Sequence, residues 1–344
     1  MVRRGVSLLE VMFSLGVIAV GLLGVMALIP VGLSHVGKGA IADSASRTGL
    51  DAVEAFTARG MGRTDQWITR SGAAVPGTPR NGDRTAFCID PRFAAVHFDT
   101  TAGASGNPDL FPYTSATSSD PRMLRISLLQ EPAGSAIMTA GQAETVFVTA
   151  DDLVFDLPDD KSLAPIQQYG ESQTRRQFDG NFSWLATLVP VQDATDAYRD
   201  LYTLSVVVFN DRDSSMTMDA VNERVANVTS FYSSGLAGGD VALEASSAAA
   251  LDVKRGDWLM LMGIVATGAA SSASSDDTPL FRWYRILETE SAPRLTSPAV
   301  WNLDVTLQGP DWPDDVTTTA MLVRNVVSVY EKTIRLEDQS MWSY

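Results

Sequence analysis

Cysteine is nearly missing from this sequence. Cys88 is the only one in 344 residues, so no disulfide can close within the chain and packing has to hold it together. It lies in Ala86-Phe87-Cys88-Ile89, an apolar run that reads as a strand with the thiol as a small buried hydrophobe rather than a reactive group. Histidine is almost as scarce, with His35 and His97 alone. A histidine metal site or a Ser-His-Asp triad needs one of them, and neither stands in a nucleophile or ligand motif. No catalysis and no cofactor are expected. Positive charge is short as well, 26 Lys and Arg against 41 Asp and Glu. The first 60 residues are nearly balanced, holding Glu10, Asp43, Asp51 and Glu54 against Arg3, Arg4, Lys38, Arg47 and Arg59, so the excess acid belongs to the remainder. Such a domain repels phosphate backbones and anionic membrane surfaces, and no nucleic-acid partner is expected.

What the sequence does have is one long hydrophobic run. Arg3-Arg4-Gly5 leads into Val6-Ser7-Leu8-Leu9-Glu10, and the apolar stretch then continues to Ile29 with Glu10 as its only charge. A membrane-crossing helix needs about 20 such residues, and 6–29 is long enough. A carboxylate inside lipid costs on the order of 3 kcal/mol and is functional by default, so Glu10 calls for a positive partner. A secretory signal peptide has an apolar core of only about 7–15 residues, which this run exceeds. An ordinary signal anchor accounts for the length and the arginine pair but not for Glu10.

A short basic leader ending in Gly5, an apolar Val6 and a glutamate five places into the chain that starts there resemble the N-terminal segment of the type IV pilin superfamily, which includes pilins, minor pilins and the pseudopilins of type II secretion. The resemblance covers about the first 55 residues. It implies that a prepilin peptidase cuts after Gly5 and methylates the amine of Val6, and that the Glu10 carboxylate neutralises the terminal amine of a neighbouring subunit as helices stack. It implies three further partners: other pilin or pseudopilin subunits, an inner-membrane assembly platform, and the membrane. It also implies a single-pass inner-membrane protein with an extracytoplasmic C-terminal domain before assembly, and a pilus or pseudopilus after it. Many type IV pilins close a C-terminal loop with a disulfide; with Cys88 alone, this chain departs from that.

The expected fold is α+β: a long N-terminal membrane-spanning helix that continues as an amphipathic helix, packed on a large, mainly antiparallel β region. The expected divisions are 1–5 leader, 6–29 assembly helix, 30–60 kink and amphipathic helix, 61–221 first β-rich region and 222–344 second. Pro30, Gly32, Gly37 and Gly39 predict a bend or local melting, or simply the helix end at the membrane surface. Ile41, Ala45, Ala52, Val53 and Phe56 then recur at helical spacing until Gly60 and Gly62 stop the helix. Strands are expected at 85–89, 94–98, 123–129, 145–149, 184–191, 201–209, 224–232, 258–265, 281–288, 300–307 and 321–330, with 201–209 central. Low-complexity residues 266–277 read as a loop joining two paired strands, and 244–251 as a second such segment or a short helix.

Acid pairs occur at Asp151-Asp152, Asp159-Asp160, Asp276-Asp277 and Asp314-Asp315, and Asp211-Arg212-Asp213 reads as a charged turn. Some pseudopilins bind calcium near the C-terminus; the nearest candidates here are Asp311, Asp314 and Asp315, but no EF-hand spacing appears, and solvated loop carboxylates are the expected reading. Trp301 and Tyr330 read as packing residues, and Trp342 and Tyr344 as partner candidates in a polar tail. The sequence thus points to a pilin-like structural subunit, more a minor or tip component than the repeating one. The alternative is an anchored, exported β-protein acting as an adhesin, a binding module or an enzyme.

Overall fold

The computed structural model describes residues 8–75, 85–98, 107–113, 121–129, 137–149, 153–155, 176–178, 181–191, 200–212, 223–233, 238–265, 278–290, 292–313 and 316–337. The chain divides into two units, Met1–Ser44 and Ala45–Tyr344. Helix α1 (Leu8–Ala58) runs through Pro30 without a break, and Gly32, Gly37 and Gly39 do not interrupt it either. The expected melting, and a helix end at this point, are therefore absent.

The second unit begins with the last turns of α1, where Ala45, Thr48, Gly49, Ala52 and Phe56 are buried. After them come β1 (Trp67–Thr69), β2 (Phe87–Ile89), α2 (Pro91–Val96), β3 (Leu110–Phe111), β4 (Met123–Leu128), α3 (Ala140–Phe147), β5 (Leu153–Phe155), β6 (Arg176–Phe178), β7 (Phe182–Pro190) and β8 (Leu201–Asn210). Then follow β9 (Glu223–Ser233), β10 (Gly239–Ala245), β11 (Trp258–Val265), β12 (Thr278–Thr289), β13 (Arg294–Ser297), β14 (Val300–Gln308), β15 (Thr319–Val323) and β16 (Val326–Arg335).

The first sheet has the order β1-β4-β2-β7-β8-β16, with β3 beside β4. Among its described strands only β2 and β4 run parallel to each other. The second sheet closes: β9-β15-β11-β12-β14-β10 returns to β9, since β10 pairs with both β9 and β14, and β13 hangs on β14 as a hairpin. The result is a six-stranded antiparallel barrel, which removes the exposed edges of an open sheet. Strands β5 and β6 pair separately.

Alternation along the barrel strands explains why several read as unbroken apolar runs. In β11, Leu259 and Leu261 point into the barrel while Met260 and Met262 point out onto the first sheet. Strand β15 repeats this with Ala320 and Leu322 inside, Met321 and Val323 outside. Both faces are buried, so period-two polarity vanishes. A third core lies on the other face of the first sheet, where Ala45, Ala52 and Phe56 of α1 meet Trp67, Phe87, Tyr202 and Leu204.

Three strand expectations are corrected. Residues 94–96 belong to α2 and 97–98 to the turn that ends it, because Pro91 sets the first turn of the helix and the Asp90 carboxylate accepts the Phe93 N–H at 3.5 Å. Residues 145–149 fall largely in α3, which opens with a reciprocal capping box between Thr139 and Gln142. The single strand expected at 321–330 is two, β15 and β16, separated by a turn in which Asn325 takes φ 66°. That turn moves the chain from barrel to first sheet, so the last strand, grouped by sequence with the second β-rich region, pairs with β8 instead. The loop at 266–277 lies outside the described residues, but the strands flanking it, β11 and β12, do pair.

Candidate functional site

Two places in the molecule concentrate chemistry. The first is the start of α1. Every residue from 8 to 43 is exposed, and from 8 to 29 Glu10 is the one acid among the apolar side chains that surround the helix on all sides. Helices apolar all round are normally covered by lipid or by other helices. This is the one described helix long and apolar enough to cross a membrane, with a mean hydropathy of 2.5 in its most apolar window and none of that window buried. Residues 8–29 span roughly 33 Å at 1.5 Å per residue, against a hydrocarbon core of about 30 Å. Gly5 and Val6, where processing is expected, lie outside the described residues, so Glu10 is the only one of the three sequence-derived site residues with a described position.

The second place is a buried ionic latch between first sheet and barrel. Arg125 on β4 is 1% exposed and donates through Nη2 to both Glu223 oxygens at 2.7 Å and through Nη1 to Asp90 Oδ2 at 3.4 Å. Its guanidinium stacks 3.8 Å from the Phe93 ring centroid, with Phe111 at 5.1 Å. Arg212, just after β8, clamps Asp90 with Nη1 to Oδ1 at 3.0 Å and Nη2 to Oδ2 at 2.6 Å. The backbone N–H of Tyr113 donates to Glu223 Oε2 at 2.6 Å. Glu223 is the first residue of barrel strand β9, so these bonds tie barrel and sheet together.

The electrostatics follow from burial set against pairing. Burial by itself pushes the Asp90 carboxyl up, but the charge and hydrogen bonds of Arg212, with Arg125 and Arg92 behind, win and hold it at about 2. Burial pulls both Arg125 and Arg212 down, and their carboxylate partners more than reverse it. The Cys88 thiol, fully buried on β2, is pushed well above its ordinary value by desolvation despite the opposing pull of Arg125. It is protonated at neutral pH and unreactive, as a small buried hydrophobe should be.

Other sequence candidates resolve plainly. His97 caps the end of α2, and its carbonyl accepts from Arg70 Nη1 at 2.7 Å, so it is a helix-end residue where a strand residue was expected. His35 lies on the exposed part of α1. Arg212, read as part of a charged turn, is half-buried and belongs to the latch. Asp311 is exposed and its backbone carbonyl accepts from Arg282; Asp314 and Asp315 lie outside the described residues, as do Asp151, Asp152, Asp159, Asp160, Asp276, Asp277, Trp342 and Tyr344. Among the described residues, no group of three or more His, Cys, Asp or Glu gathers to hold a metal. Trp301 and Tyr330 pack against cores.

Sequence reasoning missed the latch entirely. Arg125 and Glu223 are 98 residues apart, and Asp90 and Arg212 are 122 apart, with no local pattern linking them. No family model matches this chain, and no curated protein or solved structure matches it either.

Proposed function

We propose that the chain is a pilin-like structural subunit, probed best through its N-terminal segment. In this reading a prepilin peptidase cuts after Gly5 and methylates Val6, and residues 6–29 span the inner membrane with the β region outside until assembly. The subunit then enters a type IV pilus or a type II secretion pseudopilus through the assembly platform. The Glu10 carboxylate meets the terminal amine of a neighbouring subunit, setting register, while the apolar surface of α1 packs among other subunits' helices. Its work is polymerisation rather than catalysis.

The observation that carries this reading is α1 itself. From 8 to 43 it is exposed, and as far as Leu33 almost wholly apolar with one acid near its start, yet from Ala45 the same helix is built into a β core. So much exposed apolar surface is stable only when lipid or other helices cover it. A large β region is harder to tile along a helical filament than a small one, which favours a minor or tip position.

Mass spectrometry of the mature N-terminus, from cells with and without prepilin peptidase, tests it. An N-methylated Val6 that depends on the peptidase is the expected result. An intact Met1 in both strains, or a cut far downstream, overturns the reading.

A further inference from the structure

Around the latch, three guanidiniums gather about two carboxylates. Asp90 and Glu223 spend all four of their oxygens on Arg125 and Arg212, with Tyr113 N–H taking a further share of Glu223. Arg92, in the first turn of α2, is left over. It is only 8% exposed, and among the described residues no hydrogen bond or ion pair reaches its guanidinium. Asp90 and, more weakly, Glu144 on α3 attract it without forming an ion pair, and Arg212 repels it. Burial, then Arg212, push its pKa down to about 10, so it still carries its charge at neutral pH.

A buried cation without an acceptor weighs against the fold, and such groups in native structures call for an explanation. The latch attracts it through Asp90 but accepts no hydrogen bond from it, because the carboxylate oxygens are already taken by Arg125 and Arg212. The guanidinium fork is shaped to receive two oxygens of one planar or tetrahedral anion, and the remaining exposure leaves a small opening to solvent.

We propose that Arg92 is the receiving group of an anion site, taking a carboxylate or phosphate-type oxyanion whose oxygens accept its N–H bonds. The same chemistry has two sources, a free oxyanion or a side-chain carboxylate on a second copy of this acidic chain. The site is independent of the N-terminal helix and of the function proposed above.

The test is titration of the full chain in detergent with sodium phosphate and with sodium acetate at constant ionic strength, following thermal unfolding and calorimetric heat. The unfolding midpoint of the wild type should rise and saturate, half-saturation should be at least roughly tenfold weaker in Arg92→Gln, and Arg92→Lys should be intermediate because it loses the fork. Without added anion, Arg92→Gln should unfold no earlier than wild type, which separates lost binding from misfolding. If free anions do nothing, self-association measured by sedimentation should fall roughly tenfold in Arg92→Gln, which assigns the carboxylate to a second copy. Equal anion response and equal self-association in wild type and Arg92→Gln overturn the proposal. Should Arg92→Gln fail to fold, equal half-saturation and self-association in wild type and Arg92→Lys overturn it.

Discussion

The ring of Tyr330 occupies the space that a side chain on Gly49 would fill, so the last turns of α1 lie directly on edge strand β16. Glycine here is a matter of close approach, since Gly49 sits in ordinary helix. Replacing a helical glycine with alanine normally stabilises by about 1 kcal/mol. At this position the sign should invert: Gly49→Ala is expected to lower stability by about 1–3 kcal/mol in urea unfolding, and Tyr330→Ala should relieve the clash in the double variant.

The same packing sets where the chain can be shortened. A fragment starting at residue 40 keeps Ala45, Ala52 and Phe56 in the core under the first sheet, whereas one starting at 60 removes them. The first should unfold cooperatively with near-native stability. The second should lose more than about 3 kcal/mol, or not fold, by circular dichroism melting.

Removing one partner of the latch should cost more than any surface change. Glu223→Gln leaves Arg125 with a buried, under-matched charge, and a loss of about 3–5 kcal/mol is expected. Cys88, the only thiol and fully buried between sheet and barrel, reports on it: labelling by a thiol reagent should be very slow in the wild type and markedly faster in Glu223→Gln. Unchanged labelling would show that the interface opens independently of the latch.

Acid should act through Asp90. Held at about 2 against an ordinary 3.8, its carboxylate stabilises the fold throughout the range above pH 4, and that contribution, about 2 kcal/mol, is lost as pH falls from 4 through 2. In Asp90→Asn, stability should already be lower at pH 7, and the part of the decline between pH 4 and 2 due to this residue should disappear from unfolding curves.

Glu10→Gln separates insertion from assembly. Membrane insertion should be unchanged or eased, by on the order of 3 kcal/mol, because a carboxylate leaves the apolar run. Incorporation into fibres, measured by quantitative immunoblotting of sheared filaments, should fall by most of its wild-type value. Wild-type incorporation of the variant would remove Glu10 from the proposed assembly mechanism.

Strands rich in β-branched and aromatic residues were legible: β8 and β11 stand where the pattern put them. Helices α2 and α3 were not, because each is a short element decided by one cap, Asp90 or Thr139, set against locally strand-like residues. Strand β10, Gly-Asp-Val-Ala-Leu-Glu-Ala, carries a weak signal of its own and is held by β9 on one side and β14 on the other. Barrel closure was therefore out of reach, since it depends on that strand.

By itself the sequence determined the long N-terminal helix, its apolar surface, the position of Glu10 and the acidic, strand-rich character of the remainder. Those are local properties, carried by length, hydropathy and periodicity within one segment. Tertiary structure alone decided that a sheet closes into a barrel, that Arg125 and Arg212 meet Glu223 and Asp90, and that Arg92 is left over. Each of these depends on groups about a hundred residues apart being desolvated together, and desolvation has no signature in a stretch of sequence.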